Sequence, residues 1–282
     1  MQIGVVFPQT EIGNDPGAVR AYATGAEELG YRHLLAYDHV VGADREVHEG
    51  WSGPYDLHST FHEPFVLYGY LAAFTSLELV TGIIILPQRQ TVLAAKQAAE
   101  IDLLTGGRFR LGIGLGWNAV EYQALGKDFS DRGARVVEQV ALLRRLFTEE
   151  SVSFEGRFET VHGAGLRPLP VQQPIPIWFG ANSEPALRRA GALGDGWFPQ
   201  RKPGDGLEEA KAIVDGAASD AGRAPGDLGM EGRARVDDSL AESVAAWRAA
   251  GASHLSLNTM GTGRGDVEGH LEALREARSV LD

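Results

Sequence analysis

The feature that most constrains the fold is a strict alternation of short β-branched runs with longer helical segments. The run IGVVFP (residues 3–8) is followed by a helical pattern over 16–30, and the same order recurs eight times in 282 residues. Strictly alternating strands and helices predict a parallel sheet covered by helices. Eight such units are typical of a (β/α)8 TIM barrel. We therefore predict one barrel domain over residues 1–282, with small insertions at its C-terminal face.

The element boundaries follow from hydrophobic periodicity and from glycine and proline positions. Predicted strands lie at 3–8, 33–37, 77–86, 108–116, 174–180, 194–199, 228–236 and 253–259. Predicted helices lie at 16–30, 63–76, 91–107, 131–148, 183–194, 206–222, 239–251 and 266–281. A small hairpin is predicted at 151–161, where alternation surrounds Glu155-Gly156.

Composition excludes several function classes. The net charge is −12 and the arginines and lysines are scattered, whereas nucleic-acid binding normally needs a basic face. No apolar run approaches the ~18 residues needed to span a bilayer, and the first residues lack the pattern of a signal peptide. With no cysteines, disulfides and thiolate metal sites are excluded. We expect a cytoplasmic protein that acts on a small molecule, without a nucleic-acid or membrane partner.

The stretch GRFRLGIGLGWNAVEYQALG (107–126) contains closely spaced glycines, but it is not a dinucleotide-binding fingerprint. That fingerprint needs G-x-G-x-x-G. Counted from Gly112, its third glycine would be residue 117, which is a tryptophan here. A phosphate-binding P-loop fails as well, since no Gly-Lys-Ser/Thr follows. The stretch instead predicts a buried strand whose glycines let a neighbouring element or a ligand come close.

Unusual residues recur at the ends of the predicted strands. In this fold the active site lies at the C-terminal ends of the strands. That rule groups Asp38-His39, Gly82 to Pro87, Gly114 to Asn118 and Gly180 to Ser183 on one face. His39 can exchange a proton near neutral pH; the alternative is an ordinary loop histidine.

Two further motifs concern anions and metals. The segment GANSEP (180–185) precedes a helix, whose terminus favours a phosphate, although an ordinary helix cap is the alternative. His58 and His62 have i,i+4 spacing but lack an H-E-x-x-H pattern, so no metal site is predicted.

Several segments together resemble the bacterial-luciferase-like superfamily, in particular its branch that depends on the deazaflavin coenzyme F420. The quoted segments are EPFVLYGYLAAFTSLELVTGIIILPQR, TVLAAKQAAEIDLLTGGRFRLGIGLGWNAVEYQALG, DRGARVVEQVALLRRLFT and PIPIWFGANSEPALRRAGALGDGWFP. The resemblance covers roughly residues 1–200 and is weaker beyond. It implies a (β/α)8 barrel, a cofactor ring at the barrel mouth, and hydride transfer to or from a small organic substrate. It also implies a homodimer.

The resemblance assigns roles to particular residues. It implies that His39, of the Asp38-His39 pair, is the catalytic residue facing the ring, and that Asp38 binds the cofactor. It implies a non-prolyl cis peptide at Gly82-Ile83 or the adjacent bond, behind the ring. The remaining cofactor-binding residues that it implies are Gly114, Gly116, Trp117 and Asn118 beside the ring, and Gly180, Ala181, Asn182 and Ser183 at the phosphate.

Alternatives remain open from the sequence. Some relatives place an acidic glutamate directly after the fourth-strand glycines, where this chain has Trp117. FMN is the alternative cofactor, which would make the protein a monooxygenase, and a non-catalytic flavin-binding barrel is a further possibility. A glycoside hydrolase would have to use Asp38 and Glu63 as its carboxylate pair. For the acidic tail of F420 we expect Arg89, Arg188 and Arg201 to contribute.

Overall fold

The computed structural model describes residues 1–281 and shows a closed parallel barrel surrounded by helices. The strands of the barrel are β1 (Gln2–Val6), β2 (His33–Ala36), β3 (Glu78–Thr81), β4 (Ile84–Ile85), β5 (Phe109–Gly114), β8 (Ile177–Ala181), β9 (Gly196–Pro199), β10 (Gly229–Arg235) and β11 (His254–Asn258). The predicted hairpin is formed by β6 (Val152–Glu155) and β7 (Thr160–Ala164). The predicted (β/α)8 fold class is confirmed.

The helices are α1 (Pro16–Glu28), α2 (Pro64–Leu71), α3 (Thr91–Thr105), α4 (Ala119–Ala124), α5 (Arg132–Thr148), α6 (Glu184–Leu193), α7 (Asp205–Asp220), α8 (Leu240–Ala249) and α9 (Val267–Leu281). The short helix α4 was not predicted. The predicted second helix is too long, since it ends at Leu71 rather than at residue 76. There the chain turns, and Thr75 donates a hydrogen bond to Glu27 of α1 at 2.7 Å.

The barrel closes where β3 pairs with β5, through Leu79 opposite Phe109 and Val80 opposite Arg110. The third barrel strand, predicted as one run over 77–86, is divided into β3 and β4. A cis peptide bond joins Gly82 to Ile83 between the two pieces. The prediction of one continuous strand over 77–86 was therefore wrong, whereas the cis peptide bond implied by the resemblance is present.

Buried tyrosines attach the outer helices to the barrel strands. Tyr22 of α1 donates a hydrogen bond to the Val6 carbonyl at 2.8 Å. Tyr68 of α2 donates to the Val80 carbonyl and accepts from the Ala36 amide, at 2.5 and 2.8 Å. Because buried hydroxyls must be hydrogen-bonded, these contacts fix each helix against a particular strand end.

The N-terminal end of the barrel contains a buried ionic layer, formed by Glu78, Arg110 and Glu231 with His33 and Ser256. Arg110 bonds Glu78 at 2.9 Å and Glu231 at 2.8 Å, and His33 lies 3.0 Å from Glu231. Ser256 donates to the same carboxylate at 2.6 Å. Burial acts to raise the pKa of Glu231, but His33 and Arg110 hold it far below its ordinary value. The chain supplies partners of opposite charge for the ions of this layer.

Residues 1–281 contain neither a membrane-spanning helix nor a cluster of metal ligands. None of the helices there combines the length and the hydropathy that a membrane span requires. Within the same residues, no three histidine, cysteine, aspartate or glutamate side chains converge as metal ligands would.

Candidate active site at the barrel mouth

A cavity of about 560 Å³ opens at the C-terminal ends of the barrel strands. It collects residues from the second to the seventh barrel strand and from the helices that follow them. The predicted site residues that line it are Asp38, His39, Gly82, Ile83, Gly114, Gly116, Trp117, Gly180, Ala181, Asn182 and Ser183. The remaining one, Asn118, lies at an adjoining cavity of about 200 Å³. The strand-end rule thus groups these residues as the structure does.

Ile83 occupies the centre of the cavity wall, and the neighbouring glycines are adapted to it. A Cβ atom at Gly114 would overlap the Ile83 side chain, and one at Gly180 would lie 3.3 Å from it. Gly116, with φ +70°, allows the chain to turn away after β5. Of the two interpretations that the sequence left open for the fourth-strand glycines, close approach of a neighbouring element holds at Gly114, which makes room for Ile83.

His39 lies at the end of β2 and is held by a carboxylate. Its Nδ1 atom is 3.5 Å from Oε2 of Glu121, and the two side chains are 13% and 1% exposed. This contact leaves Nε2 as the ring nitrogen available to a ligand. A carboxylate behind an imidazole fixes its orientation and stabilises its protonated form. The arrangement therefore suits His39 for proton exchange.

Glu121 is itself fixed by several donors. Its carboxylate accepts hydrogen bonds from the Val40 amide and, at 3.5 Å, from Gln88. Asn118 caps α4 by accepting from the Val120 and Glu121 amides at 3.1 and 3.2 Å. Burial acts to raise the pKa of Glu121, but the hydrogen bonds from His39 and Val40 lower it below the ordinary value. The carboxylate is therefore ionised at neutral pH.

Glu121 was not among the predicted site residues. The Oδ1 atom of Asn118 caps α4, and its predicted part in cofactor binding stays a prediction. The available signal was the spacing Asn118-x-x-Glu121, which marks a helix start. The sequence gives no evident role to Gln88. In the structure its buried side chain donates a hydrogen bond to the Glu121 carboxylate.

Asp38, predicted to bind the cofactor, lines the cavity and forms an internal ion pair. Both of its carboxylate oxygens accept from Arg89 at 2.9 Å, and Oδ2 also accepts from the Ile85 amide at 3.2 Å. Arg89 binds Glu63 as well, at 3.0 Å. One guanidinium thus neutralises both carboxylates that a glycoside hydrolase would have used, which disfavours that alternative.

The cationic residues of the cavity differ from those expected. Arg89 is committed to Asp38 and Glu63, Arg188 pairs with Glu184, and Arg201 donates to the Gly206 carbonyl. None of these three lines the cavity. The arginines that do line it are Arg132, Arg189 and Arg233. Within residues 1–281, none of the three has a carboxylate within ion-pair distance.

Arg132, the first residue of α5, and Arg189, in the middle of α6, are here called the arginine pair, and both line the cavity together with Ser183. Burial and the repulsion of Arg132 lower the pKa of the Arg189 guanidinium. The Nε atom of Arg132 is buried without a hydrogen-bond partner. An anion placed here would relieve both conditions, because guanidinium groups bind carboxylates and phosphates strongly.

The helix terminus itself supplies fewer donors than the sequence indicated. Pro185 in the first turn has no amide hydrogen, and the Ala186 amide already donates to the Ser183 carbonyl at 2.9 Å. The Ser183 side chain makes no capping bond. The arginine pair is therefore a larger part of this anion site than the helix end.

The long loop between β2 and α2 folds over His39. Together with Trp117, which follows β5, its rings form an aromatic cluster of His39, Trp51, Tyr55, Phe61 and Trp117. Its ring centroids lie 4.6 to 5.7 Å apart, in tilted or edge-to-face contacts. Trp117 keeps 43% of its surface exposed. The cluster gives the mouth an apolar rim next to the proton-exchanging group.

The chain belongs to the luciferase-like monooxygenase family, whose model matches residues 1–279. The resemblance inferred from the sequence is thereby confirmed, and it extends through the final third of the chain. Members of this family are oxidoreductases that depend on F420 or on a flavin.

Three relatives illustrate the range. An uncharacterised protein of Mycobacterium tuberculosis is 34% identical over 188 residues, 66% of this chain and 62% of the relative. The F420-dependent hydroxymycolic acid dehydrogenase of the same species is 30% identical over 88% of this chain and 65% of its own length. The FMNH2-dependent dimethylsulfone monooxygenase of Pseudomonas putida is 33% identical over 70% and 51% respectively. The chain thus spans less than two thirds of the length of these relatives.

A solved structure that matches over the whole chain illustrates the likeness in fold. An F420-dependent secondary alcohol dehydrogenase, in complex with an F420–acetone adduct, superposes with a TM-score of 0.81. The match covers 100% of this chain and 99% of the other, at 16% sequence identity. At that identity the likeness supports the fold.

Proposed function

We propose that this protein is an oxidoreductase that binds F420 in the mouth cavity and transfers a hydride between the deazaflavin and a small organic substrate. One observation carries the proposal: His39, held by Glu121, and the arginine pair line the same cavity. The first is a proton-exchanging group, and the second is an unpaired anion site. Hydride transfer to or from an oxygen-bearing carbon needs a proton partner, and a phosphorylated cofactor needs an anion site.

The residues present fit the cofactor. The orphaned Nε atom of Arg132 and the unpaired guanidinium of Arg189 would hold its anionic groups, with Ser183 beside them. Ile83 would support the ring from behind. When bound, a deazaflavin supplies the acceptor or donor of the hydride, which is the difficult part of the reaction.

The chain contributes orientation and proton transfer. In the oxidising direction, the substrate alcohol loses its carbon-bound hydrogen as hydride, and its hydroxyl proton passes to Nε2 of His39. In the reducing direction, His39 returns that proton to the carbonyl oxygen as the carbon gains the hydride. Glu121 acts as a positioning residue that orients the imidazole. The aromatic cluster excludes water from this side of the cavity.

The second candidate is an FMN-dependent monooxygenase. The dimethylsulfone monooxygenase relative favours it, and the arginine pair would hold the phosphate of FMN equally well. In that case the substrate is oxygenated. The covered length is greater for the F420-dependent relative, which favours F420.

The test is to titrate the purified protein with F420 and, separately, with FMN, following ligand fluorescence. Micromolar or tighter binding of F420, with much weaker binding of FMN, supports the proposal. A preference for FMN transfers the assignment to the monooxygenase, and binding of neither contradicts both.

The role of His39 is tested by His39→Ala. We expect F420 affinity to stay within a few-fold of the wild type, because the residue does not hold the anionic groups. F420-linked turnover should fall by about 10²–10⁴-fold, which is the usual contribution of a general acid or base. Unchanged turnover at full cofactor occupancy would contradict the assigned role.

A further inference from the structure

Arg233 extends from β10 into the cavity, on a different part of the barrel from the arginine pair. Its guanidinium carbon lies 5.9 Å from the Tyr37 ring, at the end of the strand that carries His39. It also acts electrostatically on the Tyr55 phenol, whose pKa is raised by burial and lowered in part by Arg233. A positive charge is therefore placed at the side of the cavity where His39 and the aromatic cluster lie.

The charge of Arg233 has no counter-ion among residues 1–281. Within the described part of the chain, its side chain donates a hydrogen bond to the neutral amide of Gln200, whose Oε1 accepts from Nη2 at 2.6 Å. The acid two residues earlier on the same strand, Glu231, is bound by Arg110, His33 and Ser256. The carboxylate of the cavity wall, Asp38, is bound by Arg89.

The surfaces next to Arg233 are aromatic. Tyr55 contacts both His39 and Phe61, with centroids 5.1 and 4.6 Å apart. Trp117 continues this surface to the mouth, 5.7 Å from His39. A ligand between these rings and Arg233 would meet flat apolar faces and one unpaired guanidinium, which suits a planar acid.

We propose that the substrate is a planar carboxylic acid, whose carboxylate binds Arg233 and whose ring or conjugated body packs against Tyr55 and Trp117. The inference rests on the proposed function, since it names the substrate class of that site. It places the body of the substrate next to His39, because the Tyr55 ring lies 5.1 Å from the His39 ring. The anionic groups of the cofactor remain with the arginine pair.

Benzoate and benzamide form a matched pair of probes, since they share a ring and differ in charge. Calorimetric titration of the protein, with and without saturating F420, should show benzoate binding more tightly than benzamide. In Arg233→Gln, benzoate affinity should fall by about 10-fold or more, the usual effect of losing a charged hydrogen bond. Benzamide affinity should not change.

Two variants control for charge and folding. Arg235→Gln removes the same charge two residues along β10, where the side chain pairs with Asp237 at 3.8 Å, and should leave benzoate affinity unchanged. Arg233→Lys keeps the positive charge and should retain part of the benzoate affinity.

Equal benzoate affinity in wild type and Arg233→Gln, or no saturable benzoate binding to the wild type, would overturn the inference. So would a loss of F420 affinity in Arg233→Gln with benzoate binding intact, which would assign Arg233 to the cofactor. Because benzoate is also titrated without cofactor, failure to bind F420 defeats the proposed function without altering this result.

Discussion

The two ends of the barrel differ in whether their charged side chains are paired. At the N-terminal end, the ionic layer gives Glu231 three partners within 3.0 Å, and Arg110 two carboxylates. At the C-terminal mouth, the arginine pair and Arg233 have no carboxylate partner within residues 1–281. The neutralised charges of the ionic layer serve the fold, whereas we propose that the unpaired cations of the cavity bind ligands.

The comparison also makes the proposed anionic cofactor compatible with an acidic protein. The net charge is −12, yet the mouth cavity is lined by three arginines, and its wall carboxylate is neutralised by Arg89. A local field decides binding at close range, while net charge acts on solubility and encounter. The overall charge is therefore a poor guide to this site.

The largest effect is expected at the N-terminal end, from Glu231→Gln. This variant leaves Arg110 with one carboxylate partner, the partly exposed Glu78. Removing one charge of a buried network should lower the free energy of unfolding by about 3–5 kcal/mol. Urea unfolding measures this. The affinity of the folded protein for F420 should remain unchanged.

The matched control is Glu100→Gln, which breaks the exposed pair with Lys96 on α3. Exposed pairs contribute little, so this variant should stay within about 0.5 kcal/mol of the wild type. If the two variants lost similar stability, the ionic layer would have no special part in holding the barrel.

The next effect is expected at the mouth, from Arg189→Gln. Losing a charged hydrogen-bond donor to an anionic cofactor should weaken F420 binding by about 10- to 100-fold. Stability should stay the same or rise slightly, because Arg189 is repelled by Arg132 in the free protein. Arg188→Gln, one residue earlier and paired outside with Glu184, should leave affinity unchanged.

The smallest effect concerns pH. Burial, helped by Arg110, lowers the pKa of His254 beside the ionic layer from 6.5 to about 3. The folded protein thus keeps His254 neutral, while the unfolded chain takes up a proton below pH 6.5. Stability should therefore fall as pH drops from 7.5 to 5.5, by less than about 1.4 kcal/mol per pH unit for this residue. His254→Gln should flatten that part of the profile in urea unfolding; an unchanged slope would exclude His254.

Much of the fold follows from local patterns. Residues 91–107 stop at a glycine, and Gly106 indeed ends α3 with φ +65°. Because barrel strands all point the same way, the residues at their ends could be assigned to one face before any contact was known. The broken third strand could not be derived from periodicity, since Gly82 and Ile83 continue the apolar run.

The chemistry of the site was less accessible, because it depends on contacts between distant parts of the chain. Glu121 meets His39, and Arg189 meets Arg132, only once the barrel has closed. Local sequence also could not show that Arg89 is consumed by Asp38 and Glu63. Which arginines are left over is a property of the folded molecule.

The central claim, that the arginine pair holds the anionic groups of the cofactor, is tested most directly by the double variant Arg132→Gln/Arg189→Gln. F420 should be titrated into it and into the wild type, with urea unfolding of both as the check on folding. We predict a loss of F420 affinity of at least about 100-fold with an unfolding free energy no lower than that of the wild type. Unaltered F420 affinity in a folded double variant would contradict the claim.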